Sequence, residues 1–346
     1  MLLSVLAIGL ANAGEVTTKD TGHVQNPVWS PDGQWLAFEI NNMSNSVELW
    51  LTKVQGANPG APTELKIPGA SGSFGSGGYL AASPTWASKP SLLLIFEGSN
   101  PGGTMRLYYA PPGAGAPNEL IQATDMAGNL SAPAMADSGE RFAFVSDSTG
   151  NGDVYVWEVQ SGDMDVTFES PTSEHFPAWN DDASLLAVSR KNNGTEDLFT
   201  WASGEHLLKP LKGGNGDQSR PVWVGERVAY FTSERGEGLW DIAVTDTSSK
   251  RTVIARNVRL PARAAPTISP DGQWVAYGTM TAEQDDRILL TRLDGSKTVE
   301  IKTEHKACGE PALIEAGGRL LLAYTGLPDE GSDWRRLHIV DITGQI

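Results

Sequence analysis

The chain has 346 residues, 40% apolar and 20% charged, with 11 Trp, 38 Gly and 21 Pro. That balance excludes an intrinsically disordered chain. The net charge of -16 excludes the basic footprint of a nucleic-acid binder and opposes docking on an anionic membrane. The single cysteine, Cys308, has no partner for an internal disulfide, so packing must hold the fold.

In chain order, Met1 to Leu10 reads MLLSVLAIGL, and Ala11-Asn12-Ala13 comes next as a small-x-small site. This is read as a secretory signal peptide over residues 1–13, too short to span a bilayer. No cysteine follows the site, so no lipid anchor is expected, and no later apolar run approaches the ~18 residues of a membrane span. The mature protein is expected to be exported, periplasmic or secreted.

Repeats dominate the rest of the chain. Residues 30–38 read SPDGQWLAF and residues 269–277 read SPDGQWVAY. Weaker copies lie between, anchored on Pro27, Pro84, Pro133, Pro177, Pro221, Pro266 and Pro311, at spacings of 57, 49, 44, 44, 45 and 45. Trp29, Trp86, Trp179 and Trp223 each stand two residues after their proline. Each copy parses into four strands: one beginning at the proline, one such as WLAFEI, RFAFVS or WVAYGT, one such as VELWLT or DVYVWEV, and a short last one such as ELKI or TVEIK. Seven four-stranded copies of about 45 residues predict an all-β fold, a seven-bladed β-propeller of antiparallel blades over residues 14–346. The seventh copy ends at RLHIVDITGQI without a fourth strand. Residues 15–20 are therefore expected to supply the outer strand of the last blade, closing the ring. The extra length of the first copy lies largely in the Gly/Ser-rich stretch 69–78, read as an exposed loop.

The pattern Pro-x-Trp-Ser-Pro-Asp-Gly-x-Trp-apolar-Ala-aromatic, carried best by Pro27 to Phe38 and Pro266 to Tyr277, resembles the WD40-like repeat of the TolB propeller family. The hairpin from Ser146 to Tyr155 is also similar to that family's. The resemblance covers nearly all of residues 14–346 and speaks to fold more than to function. It implies a propeller alone, without the mixed α/β domain that precedes the six-bladed propeller of TolB. It also implies a protein-binding role in a cell-envelope complex. Related propellers gate serine peptidases and form the body of oligogalacturonate lyases, so a metal-assisted carbohydrate-active enzyme is the alternative.

No G-x-S-x-G elbow occurs, and Gly213-Gly214-Asn215-Gly216 opens no helix, so neither a serine hydrolase nor a phosphate loop is indicated. Asp147, Asn151 and Asp153 offer oxygen ligands for calcium but also suit a β-hairpin, and no bidentate Glu follows; the hairpin is the reading they favour. Asn180-Asp181-Asp182 replaces Ser-Pro-Asp-Gly as a turn. His23, His175 and His305 precede anchoring prolines by four, two and six residues, and are candidates for a transition-metal site in the channel; their unequal offsets argue against it. No cofactor is otherwise expected. Arg256, Arg259 and Arg263 form a basic cluster before the sixth blade, read as a solvated loop or a dock for an acidic partner.

Propellers bind where the loops into their innermost strands converge. The expected partner surface is Asn26, Ser83, Ala132, Phe176, Arg220, Ala265 and Glu310, one per blade. The expectation is a monomeric propeller that binds protein partners of an envelope complex, with no nucleic acid and no membrane insertion.

Overall fold

A computed structural model of the chain describes residues 14–346 apart from residues 17–20, 44–45, 71–78, 122–125, 193, 212–213, 249, 282–285, 329–332 and the side chains of residues 165–167. The expected signal peptide lies outside the described residues, as do all but Gly69 and Ala70 of the loop at 69–78.

Seven antiparallel sheets form seven blades. The innermost strands are His23–Trp29, Ala81–Ala87, Leu130–Met135, Glu174–Trp179, Gln218–Val224, Thr267–Ile268 and Lys306–Ala316. The second strands, such as Trp35–Asn41 and Arg141–Ser146, are nearly continuous apolar runs because blades bury both faces. In blade one, Leu36, Phe38 and Ile40 pack against blade seven while Ala37 faces blade two. One small residue between large ones recurs as Ala143, Ala187, Ala229, Ala276 and Ala323, all buried. Seven apolar clusters are found among the described residues, one at each junction between neighbouring blades.

The ring closes where the sequence places the closure. Gly14–Val16 pairs antiparallel with the third strand of blade seven, Arg336–Asp341, in the register Glu15 to His338 and Val16 to Leu337. Val16 is fully buried among Val24, Leu36, Leu337 and Ile339, so the latch is apolar as well as hydrogen-bonded. The rest of the predicted 15–20 strand lies outside the described residues.

The Ser-Pro-Asp-Gly turns repeat atom for atom. Ser30 Oγ donates to Asp32 Oδ1 at 2.6 Å and accepts from Trp35 N at 2.9 Å; Ser269 does the same with Asp271 and Trp274 at 2.5 and 2.9 Å. Gly33 and Gly272 take φ of 67° and 66°, which glycine adopts without a Cβ penalty. In blade four Asn180 Oδ1 accepts from Leu185 N at 2.9 Å, which makes Asn180-Asp181-Asp182 the expected turn.

Candidate functional site at the mouth of the central channel

Each innermost strand except that of blade six carries a β-bulge enclosing an X-Pro pair. The bulged residues are Asn26, Ser83, Ala132, Phe176, Arg220 and Glu310, six of the seven expected mouth residues, and all have φ between 48° and 56°. Left-handed backbone in non-glycine residues costs about 1–3 kcal/mol each. The following proline adds nothing to the ladder, since it has no N–H. At four of the six, the bulge gains a redirected backbone N–H. Ser83 N donates to Glu39 Oε1 of blade one at 2.8 Å, Ala132 N to Glu97 Oε2 of blade two at 2.7 Å, Arg220 N to Ser189 Oγ of blade four at 3.2 Å, and Asn26 N to Glu310 Oε2 of blade seven at 2.5 Å. The mouth is thus a chain of hydrogen bonds from blade to blade.

Glu39 is fully buried and Glu97 is 4% exposed. Glu39 also accepts from Gln25 Nε2 and Asn26 Nδ2, each at 2.8 Å. Burial pushes its carboxyl above the ordinary range, against the lowering effects of Arg263 and of these donors. Glu97 Oε1 accepts from Ser83 Oγ at 2.9 Å and from Arg263 Nη1 at 2.6 Å. Arg263 Nε stands 3.8 Å from Glu39 Oε2.

Arg263 comes from the other side of the ring. It lies on the segment 259–266 that leads into blade six, and this segment crosses the mouth as a strap. Arg220 donates to the carbonyls of Pro261 and Ala262, the latter at 3.1 Å, and Ala262 N donates to Glu310 Oε1 at 3.3 Å. Ala265, the seventh expected mouth residue, belongs to the strap, lacks the positive φ, and leaves blade six an innermost strand of two residues. The expected mouth residues other than Asn26 are half-buried, and Asn26 is buried.

The basic cluster therefore points partly inward. Arg259 pairs with the buried Asp286, Arg263 with Glu97 and Glu39, and Arg256 is exposed. The sequence carried a signal for these pairs. Glu39 and Glu97 stand inside WLAFEI and LLIFEG, where a buried acid needs a cation or several donors.

Behind the mouth lies a cavity of roughly 620 Å³, walled mostly by apolar side chains such as Val28, Met135, Phe176, Val222 and Ile314, with Arg220, Arg263 and Glu97 at its charged end. The repeated tryptophans clamp its wall. Trp29 Nε1 donates to Ala312 O, Trp86 to Val28 O and Trp179 to Ala134 O, each at 3.2 Å, and Trp223 to Ala178 O at 3.1 Å, always to the preceding blade. The spacing showed these residues; their bond to the neighbouring blade was not legible.

The three candidate histidines do not form a ligand set. His23 Nδ1 accepts from Arg335 N at 3.3 Å, with its ring 4.9 Å from that of Trp334. His175 lies 6.2 Å from the Phe176 ring. His305 Nδ1 meets Tyr324 OH at 2.8 Å, and its ring stacks on His338 at 3.5 Å. Among the described residues, no group of three His, Cys, Asp or Glu side chains is arranged to hold a metal. In the 147–153 hairpin, Asp147 accepts from Asn129 N and Nδ2, both at 2.7 Å, and Asp153 from Ser170 N at 3.0 Å and from Thr149 Oγ1. Those carboxylates are occupied in the structural role a hairpin gives them. Among the described residues, these side chains do not fit a channel metal.

Comparison with known proteins places this geometry. The sequence matches the family model described as the TolB beta propeller domain over residues 116–316. Among solved structures the chain is similar to oligogalacturonate lyase from Vibrio parahaemolyticus, at 9% identity and a TM-score of 0.64, covering 98% of this chain and 95% of that one. It is similar to TolB from Acinetobacter baumannii at 15% identity and a TM-score of 0.56, covering 86% and 67%. It is also similar to a prolyl endopeptidase at 13% identity and a TM-score of 0.58, covering 94% of this chain but 49% of that one. At these identities the structural likeness speaks to the fold. No helix among the described residues is long and apolar enough to cross a membrane.

Proposed function

The chain belongs to the TolB β-propeller domain family, and from that premise we propose that it is a protein-binding scaffold of the cell envelope, working in the periplasm. The partner surface is the channel mouth. One observation carries this: at the mouth the repeat is broken. Every blade but the sixth presents the same bulge there, and blade six contributes a strap instead. Repeat folds are held together by what their units share, and their specificity resides in what differs. Phe176 and Arg220 are half-buried neighbours on this surface, with the guanidinium 5.3 Å over the ring. Aromatic and arginine side chains are the commonest anchors of protein interfaces.

Co-purification from cells tests the reading. The wild-type chain retains a stoichiometric protein partner, and the double variant Phe176→Asp with Arg220→Asp loses it. Equal capture by the two proteins rejects the mouth as the site.

A second reading, a carbohydrate-active enzyme using the channel, draws on the likeness to oligogalacturonate lyase across nearly the full length of both chains. Incubating the purified protein with oligogalacturonate separates the two: cleavage to an unsaturated product favours the enzyme, and unchanged substrate favours the scaffold.

A further inference from the structure

The strap makes few backbone commitments. Arg259 N bonds Gly278 O at 2.8 Å, and the segment after it pairs with no strand. It is held by side chains instead: Arg220 on two of its carbonyls, Glu310 on one N–H, and its own Arg263 on the far wall. Between it and blades five to seven remains a gap of about 10 Å³, lined by Phe231, Tyr277 and Pro311 and as large as one water. A segment anchored by side-chain bonds across a gap opens at lower cost than a strand in a ladder.

The far wall is built to receive a guanidinium. Glu39 and Glu97 belong to neighbouring blades, are buried, and each already holds backbone and side-chain donors that fix their orientation. Arg263 salt-bridges both, yet its side chain stays 32% exposed and its Glu39 contact is long, at 3.8 Å. Removing that cation leaves two buried carboxylates facing an opened mouth. A planar cation with several fixed donors suits paired carboxylates better than an ammonium does.

We propose that Glu39 and Glu97 form an arginine-binding site at the channel mouth, occupied in the free protein by the chain's own Arg263, and that an arginine of the protein partner takes this place by displacing the strap. The occupant rests on the scaffold reading above. The site itself does not, and it is tested without the partner.

Arg263→Ala deletes the side chain beyond Cβ, and ethylguanidinium supplies what is missing. Calorimetric titration should show the variant binding ethylguanidinium about tenfold more tightly than the wild-type protein. The double variant Arg263→Ala with Glu97→Gln should fall back to the wild-type level. Arg263→Ser leaves the same space open and is expected to bind ethylguanidinium as Arg263→Ala does. Equal binding by wild type, single and double variants overturns the site. The displacement is tested on the wild-type protein with the peptide acetyl-Gly-Arg-Gly-amide. Amide hydrogen exchange at residues 262–265 should rise on binding. Unchanged exchange there, with rescue intact in Arg263→Ala, overturns displacement and leaves Arg263 as a permanent lock. Either failure leaves the co-purification result to judge the scaffold reading separately.

Discussion

Arg263 of the blade-six strap meets Glu97 of blade two at 2.6 Å, a bond between residues 166 positions apart that spans the channel mouth. Three groups converge on that carboxylate: the Arg263 guanidinium, the Ser83 hydroxyl and the Ala132 N–H. Glu97→Ala removes the acceptor from all three, leaving Arg263 only its contacts to Ser83 Oγ at 3.2 Å and to Glu39, and loss of one partner of a buried pair costs about 3–5 kcal/mol. The partial exposure of Arg263 places the expected loss at the low end, about 3 kcal/mol, in urea unfolding. Glu97→Gln keeps one acceptor oxygen but turns the other into a donor and loses the charge, so it should cost less than Glu97→Ala without being neutral.

The latch of the ring is three residues long, yet Val16 is fully buried within it. Val16→Asp puts an unpaired carboxylate among Val24, Leu36 and Ile339. The expected destabilisation is about 3 kcal/mol or more. Glu15, exposed beside it, should tolerate Gln with no more than about 0.5 kcal/mol of change. Equal effects at the two positions contradict closure by this strand.

The indole bonds between blades give a third expectation. Trp29→Phe removes the donor to Ala312 O and leaves a small void beside it. Together these cost about 2 kcal/mol, read as a lower urea midpoint with an unchanged slope. Trp179→Phe, with the equivalent bond to Ala134 O, should cost a similar amount.

Acid acts through His338. Burial first, then the neighbouring His305 and Arg336, pull its pKa down to about 3. Its Nε2 is buried without a hydrogen-bond partner among the described residues. Facing it are His305 by stacking, Tyr324 at 5.4 Å between rings, and Glu15 across the latch. The unfolded chain takes up the proton near the usual value of about 6.5, whereas the folded one resists it. Stability from this group is therefore complete above pH 6.5 and is lost as pH falls from there toward 3, at up to about 1.4 kcal/mol per unit. His23 and His175, lowered by burial, act in the same direction. Glu39 and Glu174, raised by burial, act oppositely, because acid relieves the cost of their charge. His338→Phe isolates the first contribution: between pH 7 and 5 it should lose about 2 kcal/mol less than the wild-type protein.

Blade number and blade order were legible because they rest on a local pattern repeated seven times, the turn chemistry because Ser-Pro-Asp-Gly occurs twice, and the closing strand because the last copy lacks a fourth strand. The strap was not. Pro266 keeps the regular spacing to Pro221 and Pro311, so Ala265 reads as one more mouth residue, although the chain before it leaves the sheet. A pair such as Arg263 and Glu97 leaves no periodic trace. The two acids inside apolar runs were the available clue, and they call for partners without naming them. The histidines failed as a set for a related reason: their offsets from the prolines differ, and side chains at different depths of a strand meet different neighbours.

The most direct measurement is photo-crosslinking in living cells, with the reactive amino acid placed at Phe176 on the mouth or at Gln34 on an exposed turn at the opposite end of the innermost strands. A discrete protein adduct is expected from Phe176 and none from Gln34. Adducts from Gln34 alone, or from neither position, would contradict a partner surface at the strap-covered mouth.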